Sequence, residues 1–503
     1  MPTSLNEIIP ALSREIGKVI FSGRERTERK WSDVRREIEA VAACLEAAGV
    51  RSGDNVGLLA ANSYEWLLVD LACLLLGCVS VPFDVRREWE IERIVPDYDL
   101  ALLVTDIAGA SGPKILSISS LHSALDAQSC APHRFLPHRF SPHDPYTVKF
   151  SSGTTAQPKA LKTQALHFDH MAEHVLSEFP LDASDHYLLL MPLNIYLQRF
   201  FVHLSILAGA SVTVGLMEQA PRLLQSSQPT VLIGVPQLLK SLLAVYHRQR
   251  EKNPEAASLR DLFGGRMRYL WTGTAPIDRD TLLEFDQEGI PVYEGYGMSE
   301  TGLIAKNYPG ARRVGSVGKP FPGKSIELGP AGEVIVRSAY HTSEGYWRGE
   351  DEGVFLGNGC IATGDVGRFD VDGFLYLVGR TKDAIVLSSG YKVFPSTVEE
   401  RLLASGPIKE CLVYGQGQSY LTALIVPAKE AVTDEQLTKA MARANSGAPV
   451  HEQVLAFLRV LDGQNALRNT VGKLDRRSAH VRYGEQLKRL YAQNKQSKDA
   501  IRV

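Results

Sequence analysis

Apolar positions along the chain follow two spacings, and each predicts its own kind of element. Trp31 to Ala48 has the spacing of an amphipathic helix, opened by the pair Ser32-Asp33. Short continuous apolar runs, Asn55 to Ala60 and Leu100 to Thr105, predict buried strands. Trp66 to Phe83 is the longest apolar stretch, but it contains Asp70 and Gly77 and ends in the strand-like Cys78-Val-Ser-Val-Pro82. That pattern predicts a buried helix followed by a buried strand rather than a membrane span. Strands alternating with helices imply parallel β-α-β units.

A second helix–strand series runs from His167 to about Leu328, with strands expected near Ala210–Val214, Thr230–Gly234, Met267–Trp271 and Pro291–Glu294. From Gly332 to Val378 the runs shorten and glycine-rich turns separate them, notably around Glu333–Arg337 and Gly373–Val378, which predicts a small β-rich subdomain. A helix beginning at Val398, then apolar runs over 410–414 and 421–426, predicts a compact α+β unit. The fold class is therefore α/β: a large N-terminal domain of mixed sheets flanked by helices, plus a β-rich subdomain and a small α+β C-terminal domain.

Composition narrows the function. Hydrophobic content of 44%, charged content of 22% and a net charge of −2 over 503 residues are ordinary for a globular protein. They give no basic surplus for nucleic acid or an anionic membrane. The six cysteines form no C-x-x-C pair and read as a reduced set. Met1 to Glu7 has no basic stretch leading into an apolar core, so no signal peptide is expected and the cytoplasm is the expected compartment. Pro-His pairs at 132, 137 and 142 sit in a proline-rich stretch that reads as a connecting loop rather than a metal site.

The chemistry concentrates in 151–160, Ser-Ser-Gly-Thr-Thr-Ala-Gln-Pro-Lys-Ala, directly after the β-like run Tyr146–Phe150. Backbone N–H groups and hydroxyls in such a loop can ring phosphate oxygens, and Lys159 supplies a mobile positive charge. The Walker spacing is absent. Taken alone, the same residues would also suit a flexible Ser/Thr-rich linker.

Four further motifs follow: Tyr293-Glu-Gly-Tyr-Gly-Met-Ser-Glu-Thr301, Thr363-Gly-Asp-Val-Gly-Arg-Phe-Asp370, Gly379-Arg-Thr-Lys-Asp383 leading into Ser388–Pro395, and Asn469-Thr-Val-Gly-Lys473. In order and spacing, the set resembles the adenylate-forming superfamily of acyl-CoA synthetases, nonribosomal adenylation domains and luciferases, from about Trp31 to Arg477. Ile233–Lys240, Arg313–Gly323 and Ser419–Pro427 are most similar to its long-chain acyl-CoA synthetase branch.

That resemblance implies a reaction. A carboxylate attacks the α-phosphate of ATP, pyrophosphate leaves, and the acyl-adenylate passes its acyl group to CoA or a carrier-protein thiol. Transfer to an amino acid or amine, as in coronafacate-type ligases, is the alternative. A non-catalytic nucleotide-binding role is a further one.

The resemblance also assigns residues. ATP would be held by Ser151, Ser152, Gly153, Thr154, Thr155, Lys159, Gly273, Glu294, Gly295, Tyr296, Gly297, Ser299, Asp365, Arg380 and Lys473. Tyr296 would stack on adenine, Ser299 would reach the α-phosphate, and Asp365 and Arg380 would contact the ribose. Glu300 would hold Mg2+, and Lys473, with Thr155 and Glu300, would be catalytic. Lys382 would be the hinge of a mobile domain spanning 382–503, after an adenylation domain spanning 1–381. Gly390 would line the tunnel for the acceptor thiol.

The acid pocket would be built from Asn194, Ile195, Tyr196, Val235, Pro236, Thr274, Ala275 and Met298, mostly apolar or small, as an apolar acid requires. Asn194-Ile195-Tyr196 replaces the histidine common shortly after the Pro-Leu pair. Ala156 and Ala160 replace loop glycines, so a stiffer phosphate loop is expected; Ser389 replaces a tunnel glycine, so the acceptor tunnel departs from the usual pattern.

Overall fold

The computed structural model of the chain describes residues 3–22, 26–121, 125, 135–151, 158–253, 258–273, 275, 277–461, 467 and 474–499. It divides into two compact units. The first comprises Met1–Glu327, Ile335–Thr363 and Phe369–Tyr376, and the second Leu328–Val334, Gly364–Arg368 and Leu377–Val503. The second unit thus includes two stretches upstream of residue 377.

Two large sheets dominate the first unit. A nine-stranded sheet runs in the order Lys319–Pro320, Gly302–Lys306, Val292–Met298, Tyr269–Thr272, Val231–Ile233, His186–Leu189, Ser211–Val214, Lys18–Ser22 and Arg26–Lys30. Its central pairings are parallel and its edges antiparallel. A six-stranded sheet runs Ile115–Ser117, Leu100–Thr105, Asn55–Leu59, Val79–Pro82, Pro145–Phe150 and Ala160–Gln164. One apolar cluster joins both sheets through the helices Trp31–Ala47, Tyr64–Leu76, Ala165–Glu178 and Tyr196–Ala208.

The Tyr64–Leu76 helix is apolar around most of its circumference, Glu65 and Asp70 excepted, because nearly all of it is buried. Its start is set by Ser63, whose hydroxyl accepts from the Trp66 N–H at 3.1 Å. Its end is set by Gly77 at φ 75°, where a side chain would also strike the His138 ring. The Pro137-His138 pair is therefore packing, and among the described residues no cluster of His, Cys, Asp and Glu could hold a metal. No described helix is long and apolar enough to cross a membrane.

One cap differs from expectation. The 31–47 helix is preceded by Lys30, and the Asp33 carboxylate, three residues on, accepts from the Lys30 N–H at 3.3 Å. Ser32 already lies inside the helix, so its hydroxyl does not cap it.

A five-stranded sheet takes the order Lys324–Leu328, Glu333–Ser338, Cys360–Phe369, Phe355–Gly357, with Leu375–Arg380 also paired to Cys360–Phe369. In the second unit, Ile408–Tyr414, Leu421–Pro427 and Val454–Arg459 form a three-stranded sheet. The helices Pro395–Ala404 and Asp434–Asn445 pack on it through Val398, Leu402, Leu437 and Ala440.

Candidate active site

The expected phosphate loop leaves the strand Pro145–Phe150 and rejoins the sheet at Ala160–Gln164, its antiparallel neighbour. The Ser151 N–H donates to the Lys159 carbonyl at 2.9 Å and closes the base of the loop. Ser152, Gly153, Thr154, Thr155 and Ala156 lie outside the described residues. Ala160 opens the second strand with ordinary extended backbone, so a residue with a Cβ fits there without strain; the stiffening expected of Ala160 does not arise. Lys159 is not loose either. Its Nζ lies 3.2 Å from Glu352 Oε2 and 5.0 Å from the centroid of the Tyr346 ring. Glu352 is 66% exposed, which makes the ion pair weak and easily exchanged.

The strand Val292–Met298 turns back into Gly302–Lys306, with an irregularity between Tyr296 and Gly297. A Cβ on Gly297 would come 2.3 Å from the Gly302 carbonyl, so only glycine fits the close approach. Gly273 likewise meets the Gly295 carbonyl, which sets those two expected nucleotide residues side by side. Tyr296 is buried and Glu294 half-buried. The Ser299 hydroxyl donates to the Phe150 carbonyl at 3.2 Å, tying the turn to the end of the loop strand. Glu300 is buried, and its Oε1 accepts from the Tyr346 hydroxyl at 2.6 Å.

Beneath this turn lie charged residues that the sequence reading passed over. Lys149 is buried; its Nζ donates to His167 Nε2 at 2.9 Å and to Thr342 Oγ1 at 3.0 Å, and lies 3.7 Å from the Tyr196 ring centroid. His167 Nδ1 is 3.0 Å from the Tyr340 carbonyl, so Nδ1 carries the proton and Nε2 is the acceptor. Burial, then the Lys149 charge, pushes His167 well below the usual histidine range and keeps it neutral. Burial, then Lys324 and Arg199, pushes Lys149 well below the usual lysine range. Lys324 donates to the Thr301 carbonyl and is pushed down to about 7 by burial.

The acid-pocket candidates follow strand ends. His186–Leu189, Val231–Ile233, Tyr269–Thr272 and Val292–Met298 are parallel, so their carboxyl ends share one edge. Ligands of such sheets bind at that edge. Asn194-Ile195-Tyr196, Val235-Pro236, Ala275 and Met298 all follow or end those strands; Thr274 lies outside the described residues. Ile195 is 37% exposed, Asn194, Val235 and Met298 are half-buried, Pro236 is buried and Ala275 exposed. The Tyr196 hydroxyl pairs with that of Tyr146 at 2.9 Å. Asn62 holds the segment before it, donating to the Met191 carbonyl at 3.0 Å and accepting from the Leu193 N–H at 2.8 Å.

Arg199, one turn into the Tyr196–Ala208 helix, binds Asp70 at 2.9 Å, Thr147 Oγ1 at 2.7 Å and Ser80 Oγ at 3.3 Å. His203 Nε2 stands 3.3 Å from the other Asp70 oxygen. Burial works to raise the Asp70 carboxyl, but Arg199 and His203 together hold it below the usual carboxylate range.

In the second unit the Arg380 Nε donates to Asp365 Oδ1 at 3.0 Å. Lys382 is exposed in the short turn Thr381–Asp383. Gly390, at φ 84°, sits in the turn joining Ile385–Val386 to Lys392–Val393. A Cβ there would touch nothing within 4 Å, so backbone conformation rather than crowding selects glycine. Lys473 lies outside the described residues.

Known proteins share this architecture. O-succinylbenzoate coenzyme A synthetase from Bacillus subtilis, in complex with AMP, superimposes with a TM-score of 0.76 at 21% identity, covering 94% of this chain and 97% of that one. ATP-bound MatB from Rhodopseudomonas palustris gives 0.79 at 22% identity, covering 95% and 99%. Among curated sequences, a long-chain-fatty-acid–CoA ligase, FadD15, of Mycobacterium bovis is 29% identical over 480 residues, 80% of this chain and 78% of its own length. A feruloyl-CoA synthase of Amycolatopsis is 27% identical over 414 residues, 77% and 81%. The model of the AMP-binding enzyme C-terminal domain matches 382–495. With residues 11–347 matching the AMP-binding enzyme model itself, the chain belongs to the AMP-binding enzyme family.

Proposed function

We propose that the protein is an ATP-dependent, AMP-forming ligase of carboxylic acids, fatty or aryl, that delivers the acyl group to the thiol of CoA. The observation that carries this reading is the Ser299–Phe150 hydrogen bond. It holds the start of the phosphate loop against the turn bearing Glu300, beside the strand edge where the acid candidates gather.

The chemistry follows from aligning two anions. A carboxylate oxygen of the acid attacks the α-phosphorus, and the bond to the bridging oxygen breaks with its electron pair leaving on pyrophosphate. Lys159 and the hydroxyls of Ser151, Ser152, Thr154 and Thr155 screen the departing phosphates. The thiol then attacks the acyl carbonyl and AMP leaves. Asp365 and Arg380 serve the ribose, and Lys473 bridges the acid's carboxylate and the α-phosphate. Lys382 is the hinge by which residues 382–503 change their role, and Gly390 borders the thiol's path.

Glu300 suits Mg2+. It is a buried carboxylate held by a neutral hydroxyl, with no described lysine or arginine within ion-pair reach. The remaining ligands would be phosphate oxygens, and the ion would supply charge neutralisation at the phosphates. None of the five described cysteines forms a disulfide, which suits a reducing cytoplasm.

Mass spectrometry tests the reading. The protein is incubated with ATP, Mg2+ and a panel of fatty, alicyclic and aryl acids, split between CoA and an amino-acid pool. Acyl-CoA with AMP release is the expected product. Acyl-amide without acyl-CoA would reassign the acceptor, and ATP binding without pyrophosphate release would remove the ligase reading.

A further inference from the structure

Lys149 has three ammonium hydrogens and three neutral partners: His167 Nε2, Thr342 Oγ1 and the face of the Tyr196 ring. No described carboxylate lies within ion-pair distance of it. The Glu300 carboxylate acts on it only from beyond that distance, and a buried cation so weakly compensated is costly unless an anion comes to it.

Its neighbours say which anion. Tyr196 belongs to the strand-edge segment proposed to receive the acid. On the other side the Thr342 N–H donates to the Glu300 carbonyl at 3.0 Å, so Lys149 also touches the support of the metal-side turn. Lys149 therefore stands between the acid side and the phosphate side, where a carboxylate and an α-phosphate must meet. Lys324, on the Thr301 carbonyl, adds a second buried ammonium beneath the same turn, which also carries the buried carboxylate of Glu300.

We propose that Lys149 is a positioning residue for the carboxylate of the substrate acid. Acting through the Tyr196 ring and through its own field at that junction, it makes the site select a carboxylate over a neutral group of the same shape. The inference rests on the acid-ligase reading above.

The test compares charged and neutral probes. ATP–pyrophosphate exchange is measured with dodecanoic acid and with ferulic acid, and inhibition with dodecan-1-ol and coniferyl alcohol, for the wild-type chain, Lys149→Met and Lys149→Arg. The expected result for Lys149→Met is an acid KM raised about tenfold or more. Its ATP KM and alcohol inhibition constants should stay within about twofold of wild type, and Lys149→Arg should recover most of the loss. Equal weakening towards acid and alcohol would mean a structural role and overturn the inference, as would an unchanged acid KM. Lys149→Gln carries the same comparison if Lys149→Met does not fold. Wild-type protein that exchanges neither acid counts against the ligase reading itself, which separates the two failures.

Discussion

Arg199 and Lys149 are two buried cations against one strand, Pro145–Phe150, yet their charges are met in opposite ways. Arg199 has a carboxylate of its own, Asp70, backed by Ser80, Thr147 and His203. Lys149, two residues beyond Thr147, has only an imidazole, a hydroxyl and an aromatic face. The first arrangement is complete within the protein. It clamps the helix bearing Tyr196 to the strand that feeds the phosphate loop. The second is complete only in what it donates, and its charge is offset only by the more distant Glu300. Burial alone therefore does not separate a structural charge from a functional one; the partner set does.

The largest test of that contrast removes one side of the closed pair. Arg199→Met leaves Asp70 buried with His203 in place of its permanent cation, and should cost about 3–5 kcal/mol in urea unfolding. A double change, Asp70→Leu with Arg199→Met, should recover a large part of that loss. A single variant as stable as wild type would break the contrast.

Lys149→Met should behave the other way. Removing a weakly compensated buried charge should leave stability unchanged or raise it by up to about 2 kcal/mol near neutral pH. The sign with pH is fixed. The Lys149 pKa is depressed in the fold, so the unfolded chain binds the extra proton and wild-type stability rises with pH. The advantage of Lys149→Met should therefore shrink as pH climbs from the depressed value towards about 10.4, the unfolded lysine value. Urea midpoints measured across that range check it.

The smallest effect sharpens the comparison from the opposite charge. Glu300 is a buried carboxylate held by a neutral hydroxyl, the mirror image of Lys149. Tyr346→Phe keeps the ring beside Lys159 and deletes only the hydroxyl. It should raise the half-saturating Mg2+ concentration in pyrophosphate exchange about tenfold, with stability changed by no more than about 1.5 kcal/mol. An unchanged metal dependence would show that the hydroxyl does not orient the carboxylate.

What could be read from the sequence depended on how local the cause was. The Tyr64–Leu76 helix and the Val79–Pro82 strand were legible because Ser63, Gly77 and the apolar run lie within twenty or so positions of one another. The start of the 31–47 helix was read at the right residue, Trp31, but its cap was not: Asp33 caps from inside the first turn and Ser32 takes no part. Motif residues such as Ser299, Glu300 and Asp365 could be nominated because the resemblance carries them. Lys149 was not, because Tyr146–Phe150 reads as an ordinary strand and the partners that define the lysine stand at 167, 196 and 342. Tyr346 escaped for the same reason, 46 residues from the carboxylate it binds. Proximity across the fold, not residue type, makes these groups notable.

The salt bridge from Lys159 to Glu352 has one more effect. If Lys159 meets the phosphates as proposed, Glu352 is an internal competitor for it, a tethered pseudo-ligand always present at fixed local concentration. Apparent nucleotide affinity is then the intrinsic affinity scaled by the fraction of time Lys159 is released. Salt screens the competitor as well as the nucleotide. On that reading part of the usual ionic-strength penalty on ATP binding would be cancelled within the protein, and affinity would be flatter across salt concentrations than a free lysine would make it.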